Sequence, residues 1–188
     1  MNETLINNLY TLVETACKSE KNVFGYGIWS HHIKPMVGIA KGLANEYGAD
    51  EEIVVIASLL HDLAGIKDES KRKEHHFYGA EEADGILSDY GYKKEKIEKV
   101  KKCIYNHRGS VNNKKGSMEE LCVADADAIA HIQEIGSLFY VAYKEMDMDI
   151  DQGTGWIKEK IERDWRKMSK NGKMKFKQRY EEILRVIG

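Results

Sequence analysis

The sequence predicts an all-α fold, a compact helical bundle. Three observations predict it. Apolar residues recur with a 3.6-residue period through most of the 188 residues. Proline occurs once, at Pro35, and the glycines are not clustered. Alanine, leucine, isoleucine, lysine and glutamate are abundant, which together with so few breakers favours helix. The length suits one domain, 1–188, able to bury a real core.

The elements follow in order, about nine helices in all. A first helix covers about Glu3 to Lys18, and "KNVFGYGIWS" is a glycine-bearing loop. A second runs from about His31 to Tyr47 and stops at Gly48. Asp50 is a good N-cap for a third, Glu51 to Ala64. "GIKDESKRKE" reads as a polar loop, followed by helices at about His75 to Tyr90 and Lys93 to His107. After a second polar loop, "RGSVNNKKGS", Ser117 and Glu120 form a capping box for a helix reaching about Ala130. Two or three further helices complete the chain; the last sets Phe176, Tyr180, Ile183 and Ile187 on one face. Charge runs such as "KKEKIEKVKK" and "KMKFKQR" read as solvated helix faces.

Composition narrows the function classes. Hydrophobic residues are 42% and charged residues 32%, as in ordinary globular chains. A formal net charge of −2 supplies no basic field for a nucleic-acid duplex. Cys17, Cys103 and Cys122 are odd in number and far apart, which fits buried thiols in a reducing compartment better than a disulfide frame or a thiolate zinc site. "MNETLINNLYTLVE" lacks the basic flank and apolar core of a signal peptide, and no apolar run is long enough to span a bilayer. The expectation is a cytoplasmic protein without a membrane partner.

Several ionisable residues sit on apolar stripes. Met36, Ala40, Leu43 and Tyr47 extend back onto His32, whereas His31 falls with Pro35 and Gly38, away from that face. Ile53, Ile56, Ala57, Leu60 and His61 share one face, and Asp62 lies about 100° further round, within reach of the same centre. Ile97, Val100, Ile104 and His107 fall at helical spacing. Periodicity does not choose between His75 and His76, or between Asp125 and Asp127 in "VADADAIAHI". A carboxylate removed from water needs a partner, and no Lys or Arg lies on these stripes. A divalent metal would satisfy imidazoles and carboxylates together.

The order of these residues resembles the HD superfamily of metal-dependent phosphohydrolases: His32 in "WSHHIKPMVGIAKGLA", the adjacent pair in "ASLLHDLAGI", and an Asp in "VADADAIAHI". The family pattern around the last ligand fits "ADAI", which selects Asp127 and keeps Asp125 as the alternative. "HHFYGAEEADGIL" is similar to the HxxxGA segment of members with an extra histidine, selecting His75 over His76, and "VKKCIYNHRGS" to the segment that supplies His107. The similarity covers about Trp29 to His131. The resemblance implies an HD-type helical domain with a metal-site core at about 29–131 and C-terminal helices 132–188 packed on it. Two departures matter. Nothing reads as the GYP motif of dinucleotide phosphodiesterases, and Asp68 and Glu69 follow the His-Asp pair only after a loop, unlike the early acidic residue of many nucleotidases.

The resemblance further implies a site for one or two ions of Fe, Mn, Co, Ni or Zn, with His32, His61, Asp62 and Asp127 as the core and His75 and His107 binding a second metal or phosphate. It implies hydrolysis of a phosphomonoester, phosphodiester or pyrophosphate bond in a small, nucleotide-like phosphorylated substrate by metal-activated water. His61 and Asp62 are the expected catalytic residues, Asp62 also orienting the water. Arg108 is the expected phosphate clamp. Lys67, Arg72 and Lys114 are loop cations that can assist, though such residues are more often plain surface charge, and Trp29, Tyr78, Tyr105 and Trp156 are candidate stacking surfaces, though at helical spacing such rings are more often core. Alternatives are a di-iron oxygenase of the type resembling myo-inositol oxygenase, and a non-catalytic nucleotide-binding module. A monomer or a homodimer fits the sequence.

Overall fold

A computed structural model describes residues 2–109 and 115–188. Lys114, one of the loop cations named above, lies outside the described residues. The helices are α1 (Glu3–Cys17), α2 (Lys34–Tyr47), α3 (Glu51–Leu60), α4 (Leu63–Lys67), α5 (His75–Asp89), α6 (Lys94–Asn106), α7 (Met118–Gln133), α8 (Ile135–Tyr140), α9 (Ile150–Lys167) and α10 (Lys170–Ile187). No strand occurs among the described residues, so the fold is all-α as expected. None of the described helices is long and apolar enough to cross a membrane.

Local chemistry sets the helix ends that matter. Gly48 takes the left-handed conformation, φ 68°, that closes α2, and its N–H bonds the Ala44 carbonyl. Asp50 then accepts from the backbone N–H groups of Glu52 and Ile53 at 3.1 and 3.3 Å, starting α3. A complete capping box opens α9, between Asp149 and Gln152. The box expected at Ser117 and Glu120 is only half formed. Ser117 accepts from the Glu120 N–H, but the Glu120 carboxylate turns to the Gly116 N–H and the Asn106 amide instead.

Two interruptions depart from the expected boundaries, and both lie at the site. The second helix begins earlier, with a π-helical turn over Trp29–Ile33 in which the Lys34 N–H reaches the Trp29 carbonyl. Pro35 has no N–H to give to the carbonyl four residues back, which favours the wider turn just ahead of it. The third helix does not run through to Ala64. It stops at Leu60, His61 and Asp62 form a turn, and α4 resumes at Leu63. The expected polar loop after it is also structured: α4 reaches Lys67, and a 3-10 helix spans Glu69–Glu74.

The core is built around α3 and α7. Every residue of α3 from Ile53 to Leu60 is buried, and α7 is buried from Cys122 to Ile132. α2 and α3 pack on α7, α5 packs along α6, and α6 packs on both α3 and α7. The C-terminal pair joins this arrangement through α7, which both α9 and α10 contact. Asp125 secures that join: it accepts the Ser169 N–H at 2.7 Å and the hydroxyls of Ser169 and Tyr47. All three cysteines are buried and unpaired.

Candidate metal centre

Five elements deliver side chains to one buried point. The π turn carries His32, the break between α3 and α4 carries His61 and Asp62, the start of α5 carries His75, the residue after α6 is His107, and α7 carries Asp127. Close approach of α5 to the break depends on Gly79. A Cβ there would meet the His61 carbonyl oxygen at 3.3 Å and the Ile104 side chain at 3.2 Å.

Asp62 divides its two oxygens. Oδ2 lies 3.1 Å from His61 Nε2 and 3.6 Å from His32 Nε2. Oδ1 lies 3.3 Å from His75 Nε2 and 4.0 Å from His107 Nε2. Asp127 Oδ1 closes the first group, 3.3 Å from His32 Nε2 and 3.9 Å from His61 Nε2. The two imidazole pairs have the same spacing: His32 and His61 meet Nε2 to Nε2 at 3.2 Å, as do His75 and His107. His32 with His61 and Asp127, and His61 with Asp62 and His107, are each compact enough to hold one ion.

The outer ring nitrogens fix the chemistry of the inner ones. His61 Nδ1 lies 2.9 Å from the Ser58 carbonyl, His75 Nδ1 2.8 Å from the Arg72 carbonyl, and His107 Nδ1 2.5 Å from the Ile104 carbonyl. A carbonyl only accepts, so each Nδ1 carries a proton, and a ring that is neutral turns its Nε2 lone pair inward. His32 differs: its Nδ1 is buried without a hydrogen-bond partner, and its ring stacks on His131 with centroids 4.2 Å apart.

Electrostatics keep most of these rings neutral. Burial, with His131 beside it, holds His32 down at about 4. Burial also lowers His75, and lowers His107 well below the usual imidazole range with His61 and His75 adding to it. For His61 burial is outweighed by Asp62 and Asp127, and its pKa is raised. Burial would raise Asp62, but His61 and His75 hold it well below the usual carboxylate range.

Asp127 belongs to a second charged group as well. Its Oδ2 accepts from the Lys167 ammonium, while Oδ1 lies 3.4 Å from His131 Nδ1. Lys167 also meets Asp164 Oδ1 at 3.3 Å, and Lys160 bonds both Asp164 oxygens at 3.1 Å. His131 Nδ1 lies 3.1 Å from Asp164 Oδ2. The Lys167 side chain is 4% exposed. Burial would discharge it, but Asp127 and Asp164 raise its pKa and keep it cationic. Lys167 holds Asp127 well below the usual carboxylate range against the cost of burial.

These groups line a cavity of about 780 Å³. Phe24, Ile28, Leu138, Val141 and Trp156 give it an apolar wall. Arg72 and Arg108 stand at its edge: Arg72 lies over the Phe24 ring, and Arg108 contacts His76 at 3.4 Å and Glu74 at 3.8 Å.

The expected site residues thus fall into two sets. His32, His61, Asp62, His75, His107 and Asp127 come together, and Arg108 lines the same cavity. Asp125 turns the other way, to Ser169, and His76 faces Arg108 and Glu74. Lys67 pairs with Glu82 on the surface. Among the candidate stacking aromatics only Trp156 lines the cavity; Trp29 packs edge-on to Tyr10 in the core, and Tyr78 and Tyr105 are exposed elsewhere. The absence of Lys and Arg from the stripes of α2 to α7 holds, but α9 brings Lys160 and Lys167 in from outside them. The signal for these was one helical face, Trp156, Lys160, Arg163, Asp164 and Lys167, in "GWIKEKIERDWRK".

The HD domain family model matches residues 29–132, more than half of the chain. The chain belongs to the HD domain family, whose members include metal-dependent phosphohydrolases. No curated protein matches it. Among solved structures, YpgQ of Bacillus subtilis is similar with a TM-score of 0.72 at 22% identity, covering 98% of this chain and 92% of that one. The same protein in complex with ADP gives 0.70 at 22% identity, over 97% and 93% of the two chains. A predicted HD superfamily hydrolase from an uncultured Thermotogales bacterium gives 0.63 at 20% identity, over 96% and 88%.

Proposed function

We propose that this protein is a metal-dependent phosphohydrolase acting on a small, nucleotide-like phosphorylated substrate. One observation carries the reading. His61, His75 and His107 each commit Nδ1–H to a backbone carbonyl and turn Nε2 toward Asp62. Inward lone pairs at these distances repel unless a cation lies among them, and these imidazoles and carboxylates fit a divalent metal. His32, His61, Asp62 and Asp127 would hold one ion; His75 and His107, with the second oxygen of Asp62, would hold another or a phosphate oxygen. When bound, the metal supplies a nucleophile at neutral pH and polarises a phosphoryl oxygen.

The chain's own residues do the rest. Asp62 offers one oxygen to each imidazole pair and so sets their relation. Arg108 reaches the cavity with a planar guanidinium, suited to a phosphate's oxygens. The apolar wall around Trp156 and Leu138 suits a base or another flat apolar group. The ADP complex of B. subtilis YpgQ supports a nucleotide-like ligand.

The test is to strip the purified protein with chelator, reload it separately with Mn, Fe, Co, Ni and Zn, and screen phosphate release from nucleotides, sugar phosphates and pyrophosphate. The expected result is metal-restored release that Asp62→Ala lacks. Oxygen uptake by the iron-loaded protein without phosphate release would overturn it in favour of an oxygenase. Tight nucleotide binding without turnover under any metal would overturn it in favour of a binding module.

A further inference from the structure

The strongest unexplained feature is the row of charges on α9. Trp156, Lys160, Arg163, Asp164 and Lys167 all line the cavity, placed by helical spacing on one face. Lys167 is buried between Asp127 and Asp164, although lysine is costly to bury. Its position opposes metal binding. It sits on Oδ2 of the carboxylate whose Oδ1 faces His32 and His61, and a cation there repels a second cation nearby.

The charge balance of the cavity points the same way. Its lining carries the cations Arg72, Arg108, Lys160, Arg163 and Lys167 against the carboxylates Asp62, Asp127, Glu134 and Asp164, with Glu74 beside Arg108 and Glu159 beside Arg163. A divalent ion added to that set leaves a positive excess. An anion is the group that removes it.

We propose that α9 carries the anion subsite of this cavity: Lys167 binds an oxygen of the phosphoryl group next to the metal residues, and Lys160 with Arg163 binds the next phosphate along. The ligand class is an oligophosphate, with two or more consecutive phosphates, its chain running along α9 toward Trp156. Lys167 has three N–H groups. Two meet Asp127 and Asp164, which aim the ammonium at the cavity edge where a phosphoryl oxygen would take the third. This rests on the phosphohydrolase reading and adds to it the residues that recognise the phosphates.

Calorimetric titration separates this role from a purely structural one. Chelator-stripped protein is titrated with Mn²⁺; the Mn²⁺-loaded protein is then titrated with inorganic phosphate and with pyrophosphate. Lys167→Met should bind Mn²⁺ as tightly as wild type or more tightly, and phosphate about 10-fold more weakly. Lys160→Met should weaken pyrophosphate more than phosphate, by several-fold. Lys175→Met, whose partner is the surface residue Glu46, should match wild type throughout. Unchanged phosphate and pyrophosphate affinity in Lys167→Met and Lys160→Met would overturn the proposal. So would loss of Mn²⁺ binding by a folded Lys167→Met protein, which would make Lys167 a support for Asp127 alone. If Lys167→Met fails to fold, Lys160→Met and Arg163→Gln decide on the pyrophosphate titration. Metal-restored hydrolysis in wild type together with unaffected variants would defeat this inference alone; absence of hydrolysis and of phosphate binding in wild type would defeat the phosphohydrolase reading and this one with it.

Discussion

Two halves of one buried cluster neutralise their charge in opposite ways. Around Asp127 and Asp164, the chain brings its own cations, Lys160 and Lys167, and the carboxylates are satisfied from within. Around Asp62, four imidazoles point inward and no lysine or arginine lies within ion-pair distance of that carboxylate among the described residues. The two halves meet at Asp127, which gives one oxygen to each. The difference teaches how to read a buried charge. Where lysines have been brought in, the carboxylates already have their partners in the fold; where imidazoles converge without one, the arrangement suits an ion from outside.

The largest break in this comparison comes from Asp62. Asp62→Ala removes the carboxylate shared by both imidazole pairs, so metal content by elemental analysis and phosphate release should both fall to background. His107→Ala should act on the second pair alone. It should lower the number of ions bound, and lower activity by no less than the roughly 10-fold that loss of an outer-sphere partner costs.

Acid should sharpen the contrast. The folded pKa of His32, about 4, lies below its ordinary 6.5. The unfolded chain therefore takes up this proton first as pH falls. Stability is lost between about pH 6.5 and 4, by up to about 3 kcal/mol from this group. His61 is raised and acts in the opposite sense, while Asp62 and Asp127, depressed, extend the loss below their ordinary carboxylate range. Thermal melts of metal-free protein across this range should show the decline. Added metal at about 100 times its Kd should restore about 2.7 kcal/mol near neutral pH, and less in acid, where protons compete for the imidazoles. The smallest effect belongs to Lys67→Ala. Its pair with Glu82 is exposed and outside the cavity, so activity should stay within about twofold and stability within about 0.5 kcal/mol.

The sequence made one half of this site more legible than the other, for a physical reason. His32 and His107 continue the apolar face of helices whose other face is polar, so an ionisable group there stands out, and His61 stands out as the first ionisable residue after the long apolar run of α3. Asp125 and Asp127 lie on α7, buried on nearly every side, where a stripe carries no direction; only the resemblance chose between them. His75 and His76 open a helix, before any periodicity exists, and there too the resemblance decided. Lys160 and Lys167 were missed because a lysine facing a cavity and one facing solvent have the same spacing. The breaks at Trp29–Ile33 and at His61 and Asp62 escape periodicity, because Pro35 suits the first turn of an ordinary helix as well as the residue after a wide one, and the apolar run of α3 gives no sign of where it stops.

The central claim is that the imidazole half is completed by an imported ion. Crystals grown with Mn²⁺ and measured at a wavelength where manganese scatters anomalously test it most directly. The account predicts an anomalous peak within bonding distance of His61 Nε2 and an Asp62 oxygen. A well-ordered site with the rings where they stand here and no ion among them, at Mn²⁺ well above any physiological level, would contradict it.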